Sequence, residues 1–132
     1  MEEILEIDRE HFEAPVVTKY EEGGAFAPHN DASGDLGREW DDCGGQRIAT
    51  AIIALKDCQF GGETKFSNLD LKVAAKRGRG LFFFPADAET LQADERTLHE
   101  GVKVGKGGSK YITQIFIRKN PVPPPLGLPL VK

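Results

Sequence analysis

Apolar and polar positions along this chain alternate over short stretches and do not recur with a helical period. Alternation or compact apolar runs predict strands over Val16–Tyr20, Ala25–His29, Arg47–Lys56, Thr64–Phe66, Leu71–Ala74, Gly80–Phe84, Thr97–Val102 and Lys110–Arg118. Glycine-rich breaks separate them, including Glu22-Gly23-Gly24, Gly61-Gly62 and Gly105-Lys106-Gly107-Gly108. Short strands at this density, with no convincing helical stretch between them, predict an all-β fold of the jelly-roll or barrel-like sandwich type. The first fourteen residues fit a short helix or an edge strand equally well.

Two segments fall outside the strand pattern. Residues 30–46, rich in Asp and Gly and carrying the lone tryptophan Trp40, form a loop long enough to act as a lid or binding loop, or a mobile insertion. The segment Pro121–Pro129 holds too many prolines to join a sheet and predicts an extended polyproline-like chain. Arg118, Pro121 and Pro124 match the spacing of a proline-rich ligand for an SH3-like groove; a linker or packed tail is the alternative. The organisation is therefore a lead-in over 1–14, one domain over 15–119 and a proline-rich tail over 120–132.

Composition narrows the function classes. At 132 residues the chain supports one core. A net charge of −4 with no basic block argues against a nucleic-acid partner. No apolar run is long enough to span a bilayer, and the acidic start Met1-Glu2-Glu3 lacks the features of a secretory signal, which reads as cytoplasmic. Cys43 and Cys58 flank a long strand, so both read as free thiols.

Candidate chemistry begins with the histidines. His29 and Asp31 are two residues apart at a strand end, so both side chains can face one ion. His99 opens a late strand that a sandwich can fold back beside them. Two imidazoles and a carboxylate form a facial triad suited to iron(II), although the same set can hold zinc with a bound water, or lie unused in a surface turn. On the last strand, alternation places Lys110, Ile112, Gln114, Phe116 and Arg118 on one face. If that face is interior, the Lys110 ammonium requires an anion beside it. If not, it is an exposed lysine at a strand start.

The ordered motifs Tyr20-x-x-Gly23-x-x-Phe26-x-x-His29-x-Asp31, Arg47-Ile48-Ala49-Thr50, Gly61-Gly62-Glu63-Thr64-x-Phe66, Gly80-Leu81-Phe82-Phe83-Phe84, Leu98-His99-x-Gly101-x-x-Val104 and Gly108-Ser109-Lys110-Tyr111 resemble the prolyl 4-hydroxylase type of 2-oxoglutarate- and Fe(II)-dependent dioxygenases. The resemblance covers roughly residues 16 to 118. It implies a double-stranded β-helix with little helical support, Fe(II) as cofactor, 2-oxoglutarate and O2 as co-substrates, and ascorbate as an accessory reductant. The implied activity is hydroxylation of an unactivated C–H bond. The substrate is a peptide, with peptidyl proline among the candidates, or a free amino acid or other small molecule.

Carried over position by position, the resemblance implies His29, Asp31 and His99 as iron ligands. It makes Lys110, Tyr20 and Thr64 the 2-oxoglutarate contacts, and Arg47, Phe26, Phe116 and Trp40 the substrate side. Phe26 stands where collagen-type relatives usually carry tyrosine, and Phe116 and Tyr111 where they often carry tryptophan, which loosens the link to peptidyl proline. Residues 30–46 are the segment placed to close over substrate. A non-catalytic β-sandwich binding module and a zinc hydrolase are the competing readings.

Overall fold

The computed structural model describes residues 1–128 and consists of two four-stranded antiparallel sheets facing one another. In chain order the strands are β1 (Val16–Tyr20), β2 (Phe26–His29), β3 (Arg47–Ala54), β4 (Thr64–Phe66), β5 (Leu71–Val73), β6 (Gly80–Phe83), β7 (His99–Gly101) and β8 (Lys110–Arg118). The major sheet has the order β1-β8-β3-β6 and the minor sheet β2-β7-β4-β5. Successive strands fall in opposite sheets at several points, which is the winding of a double-stranded β-helix. Among the described residues, no helix is long and apolar enough to cross a membrane.

The apolar pattern explains which strands lie centrally. β3 is almost continuously buried along Ile48–Ile52, because both of its faces are covered. It pairs with β8 from Arg47 opposite Arg118 to Ala54 opposite Ile112. Ile52, Phe66, Phe83 and Ile112 fill the space between the sheets, with Tyr20 and Leu81 packed against them. A second cluster, Phe12, Ile48, Ala49 and Ile117, lies on the outer face of the major sheet. Met1, Leu5 and Ile7 of the lead-in cover it.

The lead-in therefore does more than either sequence reading allowed alone. Glu2–Leu5 is a short α-helix, Arg9–His11 a 3-10 turn, and Phe12 then bridges Ile117, continuing the β1 edge along β8. Apolar positions too few for a long helix still suffice to cap one end of the sheet.

Several boundaries differ from the periodicity, most by a single residue. β3 ends at Ala54, before the exposed Leu55 and Lys56. β7 begins at His99 and not Thr97, because the Asp94 carboxylate accepts the Arg96 amide and locks Glu95–Thr97 into a 3-10 turn. The tail does pair with the domain: Ala14 N donates to the Leu126 carbonyl at 2.8 Å, and Gly127 bridges Glu13. Prolines lack a donor but keep their carbonyls, so a turn at 124–126 presents non-proline backbone to the lead-in. Arg118 is buried, so it is not displayed beside Pro121 and Pro124 as a groove ligand would require. The end of the proline-rich segment, from Pro129, lies outside the described residues. Both cysteines are free thiols.

Residues 30–46 lack strands, as their composition predicts, and hold a 3-10 segment over Arg38–Cys43. Buried Gln46 anchors the loop's return. Its amide donates to the carbonyls of Ser33 at 2.8 Å and Leu91 at 3.0 Å, and its carbonyl accepts the Ser33 N–H at 2.9 Å. Gly37 has φ +76°, and a Cβ there would lie 2.6 Å from Gln46 backbone, so the close approach requires glycine.

Candidate metal centre and its cavity

β2 ends and β7 begins at facing histidines: His29 pairs directly with His99 in the minor sheet, their ring centroids 4.3 Å apart. The chain leaving β2 brings Asp31 to the same point. His29 Nε2 lies 3.3 Å and His99 Nε2 3.7 Å from Asp31 Oδ1. One ligand atom from each residue falls within 4.8 Å of the others.

Hydrogen bonds decide which atoms are free. His29 Nδ1 donates to the Ala27 carbonyl at 2.8 Å, and His99 Nδ1 to the Thr97 carbonyl at 2.8 Å. A carbonyl only accepts, so each Nδ1 carries the proton and each Nε2 presents a lone pair. The Thr50 hydroxyl donates to Asp31 Oδ2 at 2.9 Å, leaving Oδ1 towards the imidazoles. His99 Nε2 is buried with no hydrogen-bond partner among the described residues. An orphaned acceptor of this kind carries a desolvation penalty of about 1–3 kcal/mol unless something binds it.

Electrostatics follow from this packing. Burial pushes the His99 pKa down, only partly opposed by Asp31, so the ring stays neutral at pH 7. Burial also pulls His29 down, but the Asp31 bond and the Ala27 carbonyl outweigh it and the net shift is upward. Burial works against the Asp31 carboxylate, yet its bonds to His29 and Thr50 and the nearby His99 ring hold its pKa below the usual range. Two imidazoles with their Nδ1 atoms committed to carbonyls and their Nε2 atoms turned to an ionised carboxylate are the donor set a divalent cation requires.

A cavity of about 210 Å³ opens beside this cluster, and every site residue singled out from the sequence lines it: Tyr20, Phe26, His29, Asp31, Trp40, Arg47, Thr64, His99, Lys110 and Phe116. The Lys110 face of β8 is the interior one. Lys110 is 3% exposed, and its amine makes no hydrogen bond or ion pair among the described residues; the nearest aromatic partner is the Tyr20 ring, with Nζ 5.3 Å from its centroid. Burial lowers the Lys110 pKa, with Cys58 and Glu63 opposing it, and burial raises that of Tyr20. Tyr111, by contrast, points away from the cavity, towards Lys19 and Lys56.

Sequence reasoning passed over two features. Glu13 of the lead-in is buried and accepts from Arg47 and from Arg118. No local pattern marks it, since its partners are distant in sequence. Thr50 did leave a signal: a lone hydroxyl within a continuous apolar strand needs a buried partner, and that partner is Asp31.

Comparison with known proteins agrees with this geometry. The family model described as the 2OG-Fe(II) oxygenase superfamily matches residues 15–118. A protein of Acanthamoeba polyphaga mimivirus named for prolyl 4-hydroxylase activity is 31% identical over 106 residues, covering 78% of this chain and 43% of the relative. Prolyl 4-hydroxylase 9 of Arabidopsis thaliana, so named, is 31% identical over 127 residues, covering 85% and 43% respectively. The viral collagen prolyl hydroxylase of Paramecium Bursaria Chlorella virus-1, solved as a 2OG complex, superposes with a TM-score of 0.70 at 35% identity, covering 81% of this chain and 59% of that one. The chain thus spans less than half the length of the curated relatives it matches.

Proposed function

Since this chain belongs to the 2OG-Fe(II) oxygenase superfamily, we propose that it holds Fe(II) between His29, Asp31 and His99 and uses 2-oxoglutarate and O2 to hydroxylate an unactivated C–H bond. The buried, unpartnered Nε2 of His99 carries this reading, because a metal ion is the natural occupant of a lone pair that no group among the described residues satisfies. Bound iron and 2-oxoglutarate supply the oxidising chemistry. The protein's own groups supply placement. The carbonyls of Ala27 and Thr97 and the Thr50 hydroxyl fix the ligand atoms. Lys110 offers an ammonium to the carboxylate of 2-oxoglutarate remote from the metal, with Tyr20 and Thr64 lining the same cavity. Phe26, Phe116 and Trp40 give the substrate side an apolar wall and exclude water. Residues 30–46, which contribute Trp40, bound that side.

The relatives' names make a proline residue the first substrate to try. Succinate formation that depends on added Fe(II) and 2-oxoglutarate is the expected activity, and ascorbate is expected to sustain it. Alanine at His29, Asp31 or His99 should abolish it together with tight metal binding. Undiminished turnover in those variants would overturn the ligand assignment. Purified protein that retains zinc and releases no succinate would favour a hydrolase.

A further inference from the structure

The wall of the cavity beside Trp40 and Phe116 holds an unbalanced charge, and its imbalance speaks to the substrate of the oxygenase reading above, on which this inference rests. Glu13 accepts from Arg47 Nε at 2.9 Å and Nη2 at 3.2 Å, and from Arg118 Nε at 2.6 Å. Arg118 Nη1 donates to the Gly45 carbonyl at 2.8 Å. One carboxylate therefore serves two guanidiniums, and one positive charge remains. The side chains of Glu13 and Arg118 are each 4% exposed, so water does little to solvate that surplus.

Arg47 is the only member of the cluster that lines the cavity, and its side chain is 21% exposed. Its Nη1 makes no hydrogen bond among the described residues, whereas Nε and Nη2 are committed to Glu13. The guanidinium lies 3.8 Å from the Phe116 ring centroid and 5.2 Å from that of Trp40, so it is held in place before any ligand arrives. The other charged groups lining the cavity do not cancel the surplus. Asp31 belongs to the metal cluster, Lys110 is itself a cation, and Glu100 faces Lys65 at 3.6 Å.

We propose that Arg47, charged in excess by Arg118, is the docking point for a carboxylate on the primary substrate. The substrate is then an acid whose apolar body lies against Phe26, Trp40 and Phe116. A free N-substituted amino acid and the free C-terminus of a peptide share this chemistry.

The test uses the whole chain loaded with Mn(II) and saturating 2-oxoglutarate. Two matched pairs of probes are titrated: N-acetyl-L-proline against its amide, and a proline-ending hexapeptide with a free or amidated C-terminus. The emission of Trp40, the sole tryptophan, reports binding, with calorimetry as a check. The acid should bind at least about tenfold more tightly than its amide, as a charge-assisted hydrogen bond in a partly buried site provides. Preference within the N-acetylproline pair alone assigns a free acid, and preference in the peptide pair alone a chain terminus. R47Q should erase the difference. R118M leaves Arg47 and Glu13 as a neutral pair and should shrink the difference while 2-oxoglutarate affinity stays at the wild-type value, an outcome that a misfolded variant would not give. Equal binding of acid and amide by the wild type, or a preference that survives R47Q, would overturn the carboxylate anchor alone. A wild-type protein that binds neither Mn(II) nor 2-oxoglutarate would overturn the oxygenase reading, and the anchor with it.

Discussion

Replacing Lys110 with methionine removes an ammonium while keeping most of the side-chain volume, and the consequences for the empty and loaded protein have opposite signs. In the ligand-free chain Lys110 is 3% exposed with no anionic partner in contact among the described residues, so its charged form is disfavoured by burial. The folded-state pKa lies below the ordinary lysine value of 10.5. The unfolded chain then binds the proton more tightly, and stability contributed by this group is present above pH 10.5 and lost as pH falls through the lowered value. K110M removes that dependence, so at neutral pH the ligand-free variant should be at least as stable as wild type. With 2-oxoglutarate bound, the ammonium gains its counter-ion. Losing a hydrogen bond to a charged group of about 1.5–3 kcal/mol should weaken 2-oxoglutarate by roughly 10- to 100-fold. At a concentration of about 100 times the wild-type Kd, ligand stabilises wild type by ~2.7 kcal/mol and K110M by only ~0.4–1.4 kcal/mol. At about 4 °C per kcal/mol, the 2-oxoglutarate-induced rise in Tm drops from ~11 °C to ~2–6 °C. Thermal melts with Mn(II), with and without 2-oxoglutarate, read both quantities. An unchanged ligand-induced shift would refute the role of Lys110. A ligand-free variant several degrees less stable than wild type would show that the amine already has a partner in the fold.

Two further outcomes concern the metal ligands. T50V strips Asp31 Oδ2 of its donor where the carboxylate side chain is only 3% exposed. It should destabilise the protein by about 1–3 kcal/mol in urea titrations, and weaken Mn(II) by roughly 10- to 100-fold in competition with a chelator; a wild-type metal affinity would remove Thr50 from the site. The upward shift of His29 means that protons compete with the metal from above pH 6.5. Mn(II) affinity should therefore fall as pH falls through that raised value, and an affinity constant from pH 8 to pH 6 would contradict the assignment.

Much of the site was legible because its residues sit at strand ends and their parity is local. His29 and Asp31 share a side by spacing, and Lys110 shares a face with Ile112 and Phe116 by alternation. Which face of β8 looks inward was not legible, since both faces carry apolar residues and Ile117 on the opposite one is fully buried. The lead-in settles it by covering Ile117 with Phe12. The extent of β7 was hidden by the competing capping preference of Asp94, and the tail's pairing by its prolines, because the contacts are made by the non-proline residues Leu126 and Gly127.

The sequence by itself determined the eight strands and the kinds of ligand atom available, because these depend on backbone periodicity and side-chain chemistry within a few residues. Only the tertiary structure decided that His29 faces His99 across two strands, that their Nε2 atoms and not Nδ1 look into the cavity, and that Glu13 must serve both Arg47 and Arg118. Those facts depend on long-range register and on which polar group is nearest once water is excluded, and neither is encoded in any local stretch of the chain.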